Sequence, residues 1–279
     1  MASTRPSPSS GQYWLMNATM VPWRPPAEEP IIARLNGMQL TGRDRGHLIA
    51  LESPRCTLHA AVAAPFLALR EAAARAGFEL VPVSSFRDFA RQRAIWNTKF
   101  QGQRPAFDRA GRPVDMAALD DAARVEAILL WSALPGASRH HWGSDIDVVD
   151  GHVMACGYQP KLVVEEYRRG GPFAALSVWL GQNLRRYGFY RPYARRGRGV
   201  QPEPWHISYA PVAVPALGRM SARLLADAIR GADVAGEQAI LARLPSIRER
   251  YLLDVDAPPR MRSRWARLRP RPSGRRRRS

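Results

Sequence analysis

With 279 residues, 46% of them hydrophobic and 24% charged, the chain suffices for one large domain or two small ones and has a composition ordinary for a globular protein. Its net charge of +18 is unevenly placed: residues 260–279 hold ten arginines and no acidic residue, which leaves +8 for the rest. Two cysteines, Cys56 and Cys156, exclude a disulfide scaffold, and no apolar run reaches membrane-spanning length, the longest (about Ala60 to Leu69) being interrupted by Pro65.

In chain order, residues 1–30 are rich in Ser and Pro with Trp14 and Trp23 interspersed, and read as an irregular lead that extends to about residue 45. The first twenty residues lack the apolar core of a secretory signal, so the sequence alone points to the cytoplasm. Leu48 to Leu51 is a candidate strand. Helical spacing of Val62, Phe66, Leu69 and Ala73 predicts a helix over 58–78, with Gly77 as its stop. A short strand over 79–85 follows, then a helix capped by Asp88 and running to about Phe100. Residues 101–115 read as a polar loop and 116–134 as a second helix, ended by Pro135 and Gly136.

Next come the two most informative stretches. Residues 138–147, SRHHWGSDID, place a histidine and a carboxylate on either side of a glycine; residues 203–209, EPWHISY, add a carboxylate, an aromatic pair and another histidine. Two imidazoles and one carboxylate make a catalytic zinc set, and a further glutamate beside it would serve as general base. His140 and Asp147 are seven apart, an odd offset that would put them on opposite faces of one unbroken strand. They share a metal only if the chain turns between them, and Gly143 stands where that turn is needed. Beyond it, Ile146 and Val148 alternate with Asp145 and Asp147, which predicts a strand with one face on the core and one on the site. Pro204 disfavours the helical region for Glu203, so Glu203 and His206 belong to a turn entering a short strand. Between the two stretches lie an insert over 150–170, a helix from Phe173 to Tyr187, a strand at Phe189 and Tyr190, and a basic loop over 192–202 expected to be mobile. Helical segments fill 211–253, and the composition from 258 onward supports no core.

The motifs SRHHWGSDID and EPWHISY, together with SSFRDFARQ at 84–92, resemble the SxHxxGxxxD, ExWHxxY and SxYRSxxxQ signatures of VanY-type D-alanyl-D-alanine carboxypeptidases. These are zinc peptidases of bacterial peptidoglycan, related to VanX dipeptidases and the Hedgehog signalling domain. The resemblance implies an α+β fold: a single domain with a small, mainly antiparallel sheet and flanking helices, placed here over 46–253 with its motif core at 84–209 and a disordered arginine-rich tail at 258–279. It implies one zinc ion per chain, bound by His140, Asp147 and His206. It further implies Glu203 as general base and later proton donor, and Arg87 as the group that polarises the scissile carbonyl. Ser138 and Gln92 would hold the substrate's terminal carboxylate or backbone, and Trp205 and Tyr209 would shape the pocket. The implied partners are peptidoglycan stem peptides or precursors, met by a monomer, with action in the periplasm or cell wall open on family grounds. Asp145 stands where the family often has a small residue, Asp88 in place of a common serine and Phe86 in place of the tyrosine. Asp145 either partners a ligand histidine or competes with Asp147 for the metal.

Set against these are plainer roles. His141 points away from its neighbour and is structural; His47, His59 and His152 fall in no motif; Trp179 and Leu180 belong to the core. Nonspecific polyanion contact through 260–279 needs only the arginines. An L,D-carboxypeptidase, an endopeptidase acting on the same peptides, and a non-catalytic binding module are the alternative functions.

Overall fold

A computed structural model describes residues 34–195 and 199–258. The expected disordered tail and most of the N-terminal lead lie outside the described residues. What is described of the lead is ordered into the domain: Asn36 forms a capping box with Gln39 at the start of a short helix, α1 (Gly37–Leu40), and Leu35 and Leu40 are buried in the core.

A hairpin follows, β1 (Leu48–Glu52) with β2 (Arg55–His59). The helix expected from residue 58 begins instead at Ala60 as α2 (Ala60–Arg75). Leu58 and His59 are the last strand residues, and His59 Nδ1 accepts from Ala61 N at 3.1 Å, capping the helix. Apolar spacing alone does not separate a strand end from a helix start. Then come β3 (Leu80–Ser84) and α3 (Phe89–Phe100), the latter capped by Asp88 as its side chain accepts from Arg91 N at 2.8 Å. The polar loop after it contains a two-residue hairpin, β4 (Ala106–Phe107) and β5 (Pro113–Val114). The single helix expected over 116–134 is a 3₁₀ turn at Met116–Ala118 followed by α4 (Asp121–Leu129). Asp120 interrupts it, because its carboxylate accepts from Ala123 N at 2.8 Å and starts a new helix.

The central sheet comprises β3, then β6 (Asp145–Asp150), β7 (Phe189–Tyr190) and β8 (His206–Tyr209), in the order β3-β6-β8-β7 with every neighbour antiparallel. The insert after β6 holds α5 (Gly151–Ala155) and a 3₁₀ turn at Val164–Tyr167; α6 (Ala174–Asn183) continues as 3₁₀ to Tyr187, close to the helix expected there. The domain closes with α7 (Ala210–Arg219), α8 (Ala222–Ile229) and α9 (Glu237–Ile247), which runs on into a π-helical segment at Arg248–Leu253. The architecture is the expected α+β arrangement with a small antiparallel sheet.

The sheet separates two environments. Ile146, Val148, Ile207 and Tyr209 pack with Leu58, Phe66, Leu69 and Leu180 on one side. Residues directly opposite on antiparallel strands point to the same face, and Asp147 is registered with His206 and Asp145 with Ser208. One face of β6 and β8 is therefore apolar core, while the other carries two aspartates, a histidine and a serine, all buried.

Candidate active site

His140 lies in a 3₁₀ turn, Arg139–Trp142, that ends at Gly143 with φ 66°. A Cβ on Gly143 would come within 2.5 Å of Leu48 Cδ2 and 2.6 Å of His59 N, so both the dihedral and the close approach require glycine. This turn brings His140 back over Asp147 across the seven-residue interval. His140 Nδ1 lies 2.9 Å from the carbonyl of Ser85, which takes the ring proton and leaves Nε2 facing Asp147 Oδ2 at 3.4 Å. His206 uses its nitrogens the other way round. Its Nε2 is 2.9 Å from Asp145 Oδ1, while Nδ1 faces Asp147 Oδ1 at 3.1 Å and Glu203 Oε2 at 3.4 Å.

One ligand atom from each of His140, Asp147 and His206 lies within 4.8 Å of the others, and all three residues are buried. Asp147 Oδ1 and His206 Nδ1 are buried and have no hydrogen-bond partner among the described residues. Unsatisfied polar atoms at this depth are costly unless something else satisfies them. Burial alone would lower the pKa of His206, yet the hydrogen bond to Asp145 and the neighbouring Asp147 carboxylate push it up to about 10. Three converging ligand atoms in a buried, electron-rich cluster fit a zinc ion.

Asp145 is not in the cluster. Its Oδ1 accepts from Arg139 Nε at 2.8 Å as well as from His206, and its Oδ2 accepts from Ser144. Arg139, fully buried, also donates to Tyr190 Oη at 2.9 Å and Ser208 Oγ at 2.6 Å. Asp145 is thus the hydrogen-bond partner of His206, and Asp147 is the carboxylate that belongs to the cluster. Arg139 is the residue that sequence reasoning missed; its signal was its place between Ser138 and His140, with a second carboxylate, Asp145, six residues on.

Glu203 borders the cluster without entering it. Burial raises its pKa to about 7, against the lowering effect of His206, Arg87 and Lys99. Arg87 donates to Gln92 Oε1 at 2.8 Å and Ser84 Oγ at 3.0 Å, which aims its guanidinium along a cavity of about 720 Å³. Ser138, His140, Asp147, Glu203, Trp205 and His206 share that lining. Two expected pocket residues are placed elsewhere. Gln92 is fully buried with both amide atoms engaged, Oε1 by Arg87 and Nε2 by the carbonyl of Ala133 at 2.7 Å, so it acts on Arg87. Tyr209 packs against Phe189 at 5.2 Å between ring centroids, on the apolar side of the sheet. Trp205 lines the cavity with Tyr167 behind it.

His141 takes the structural role expected of it. Its Nδ1 donates to the carbonyl of Arg87 at 2.6 Å, its Nε2 accepts from Gly136 N at 3.1 Å, and burial lowers its pKa to about 3. Both cysteines are free, Cys56 buried and Cys156 exposed. The basic loop over 192–202 is partly outside the described residues, but Tyr193 and Gln201 are buried, and the Tyr193 ring lies 5.1 Å from that of His206. No signal in the sequence distinguished Tyr193 from its exposed neighbours.

The model of the VanY family, D-alanyl-D-alanine carboxypeptidase, matches residues 55–212. An uncharacterized protein of Haemophilus influenzae is 48% identical over 105 residues, which cover 36% of this chain and 71% of that protein. A second from the same organism is 34% identical over 122 residues, 43% of this chain and 93% of its own length. Among solved structures, VanYB in complex with D-alanine-D-alanine is similar with a TM-score of 0.43 and 23% identity, over 60% of this chain and 79% of that one. The LdcB LD-carboxypeptidase is similar with a TM-score of 0.45 and 18% identity, over 77% and 81%. The family match spans more than half of the sequence, including every residue of the cluster, and the chain belongs to the VanY family of D-alanyl-D-alanine carboxypeptidases.

Proposed function

We propose that this chain is a zinc-dependent carboxypeptidase that hydrolyses the C-terminal D-Ala–D-Ala bond of peptidoglycan stem peptides. The observation that carries this reading is the juxtaposition of three converging ligand atoms, two of them buried without partners, with a glutamate of raised pKa that is not one of them. Zinc held by His140, Asp147 and His206 would supply Lewis-acid chemistry, bringing the pKa of a water toward neutrality and polarising a carbonyl.

The chain's own residues do the rest. The Glu203 carboxylate takes a proton from the attacking water as the new C–O bond forms. It returns that proton to the departing amine as the C–N bond breaks. Arg87 donates to the carbonyl oxygen as charge develops there, and Gln92 and Ser84 hold it in place. The carbonyl of Ser85 and the carboxylate of Asp145 fix the tautomers of His140 and His206, keeping the ligand lone pairs turned inward. No nucleophilic side chain is required.

The test is to incubate zinc-loaded protein with defined muropeptides and weigh the products. Loss of one D-alanine from a pentapeptide is expected. Loss only from a tetrapeptide makes the enzyme an L,D-carboxypeptidase, and internal cleavage makes it an endopeptidase. In parallel, Glu203→Gln keeps the zinc and loses turnover by about two to four orders of magnitude. Equal turnover in both proteins removes Glu203 from the mechanism.

A further inference from the structure

We propose that Lys99 is the anchor for the substrate's C-terminal carboxylate, and so the residue that makes this site select a free chain end. The inference rests on the carboxypeptidase reading above and specifies its recognition element.

Gln92, a candidate for that role on sequence grounds, has no free atom: it holds Arg87 and the carbonyl of Ala133. Lys99 lies seven residues further along α3, two turns on and on the same helix face. Where Gln92 is sealed behind Arg87, the longer lysine reaches the cavity, whose wall there comprises Lys99, Ser132, Ala133 and Ser138 beside Arg87 and Glu203. The ammonium donates to Ser132 Oγ at 2.6 Å. An ammonium has three donors, and among the described residues no carboxylate forms an ion pair with Lys99. Burial lowers its pKa; Glu203 opposes that, while the cations Arg104 and Arg87 add to it. Glu203, which acts favourably on Lys99, is the group that must be free to carry the proton.

A partly buried cation on a cavity wall that it shares with Arg87 and Arg104, with no ion-pair partner among the described residues, is stabilised by an incoming anion. In a peptide whose last residue is to be released, the terminal carboxylate lies one residue, about 3.8 Å of chain, beyond the scissile unit. Lys99 lines the same cavity as Glu203 and Arg87, and its ammonium donates to Ser132 rather than to either of them. A last-turn lysine that merely caps α3 and steadies Ser132 would be indifferent to what the substrate carries at its end. That difference is measurable.

The probes are an acetylated tripeptide ending in D-Ala–D-Ala and its C-terminal amide. Binding is measured by calorimetry in zinc-loaded Glu203→Gln protein, so the result does not depend on turnover. The free acid is expected to bind about 10–100-fold more tightly than the amide, the range for one charge-assisted hydrogen bond. Adding Lys99→Met, which keeps the apolar stem, should abolish that preference by weakening the acid alone; Lys99→Arg should retain most of it. With otherwise wild-type protein, Lys99→Met should raise KM for the acid far more than it lowers kcat. Equal binding of acid and amide before the lysine is changed, or an equal loss of both on Lys99→Met, overturns the proposal. If wild-type protein releases D-alanine while Lys99→Met leaves the acid preference intact, only the assignment of Lys99 fails. If wild-type protein releases nothing and the free acid does not bind, the carboxypeptidase reading fails with it.

Discussion

Replacing Asp145 by asparagine tests how the buried ion pair supports the metal cluster. The carboxylate has no solvent exposure and accepts from Arg139 Nε at 2.8 Å, His206 Nε2 at 2.9 Å and Ser144. The amide retains one acceptor, presents two N–H groups toward donors already there, and leaves the Arg139 guanidinium buried without a counter-ion. Removing one partner of a buried pair costs about 3–5 kcal/mol, a large share of the roughly 5–15 kcal/mol of a typical domain. Losing the orienting acceptor of a ligand histidine separately costs about 10–100-fold in metal affinity. Urea unfolding of zinc-stripped protein reads the first effect, and competition with a zinc chelator reads the second. The double change Asp145→Asn with Arg139→Met separates them: taking away the orphaned cation should recover part of the stability and none of the zinc affinity. An unchanged unfolding midpoint and unchanged zinc affinity in Asp145→Asn would refute the assignment of Asp145 as a support. A double variant no more stable than the single would show that the cost does not come from the stranded guanidinium.

Purified protein should hold about one zinc per chain, and His140→Ala or His206→Ala should each lose it; full occupancy in both would sink the ligand set. Acid stability should depend on His59, whose pKa burial lowers from 6.5 to about 4, with His47 adding to the effect. Because the unfolded chain takes up the proton first, the contribution of His59 is whole above pH 6.5 and declines as pH falls toward about 4, by up to roughly 3 kcal/mol. His59→Asn keeps a capping side chain at that position without a titrating ring, so its urea midpoint should vary less over that window; identical pH profiles would exclude His59 as the cause.

Much of the site was legible because its chemistry is carried by residue types at short spacings. His140, Gly143 and Asp147 lie within eight positions, Glu203 and His206 within four, and a glycine between a histidine and an aspartate at an odd offset already demands a turn. Alternation in β6 similarly announced which face would meet the core, since side chains in a strand change sides at every residue. Helix starts marked by side-chain acceptors were readable when unaccompanied, as at Asp88. They were lost where apolar spacing ran straight through them, as at Asp120 and His59, because periodicity records which residues are buried and not where the hydrogen-bond pattern changes.

The tertiary structure alone decided between Asp145 and Asp147. Both lie on the same strand face, and only the approach of Arg139 from the preceding turn and of His206 from β8 engages Asp145 and leaves Asp147 in the cluster with both histidines. It likewise withdrew Gln92 behind Arg87, turned Tyr209 to the apolar side of the sheet, and brought Lys99 and Tyr193 into the cavity from segments with no motif. A sequence states what each side chain is able to do, whereas which atoms remain free is settled by neighbours distant in the chain. In a buried polar cluster every lone pair and every proton already taken determines what the next residue is left to bind.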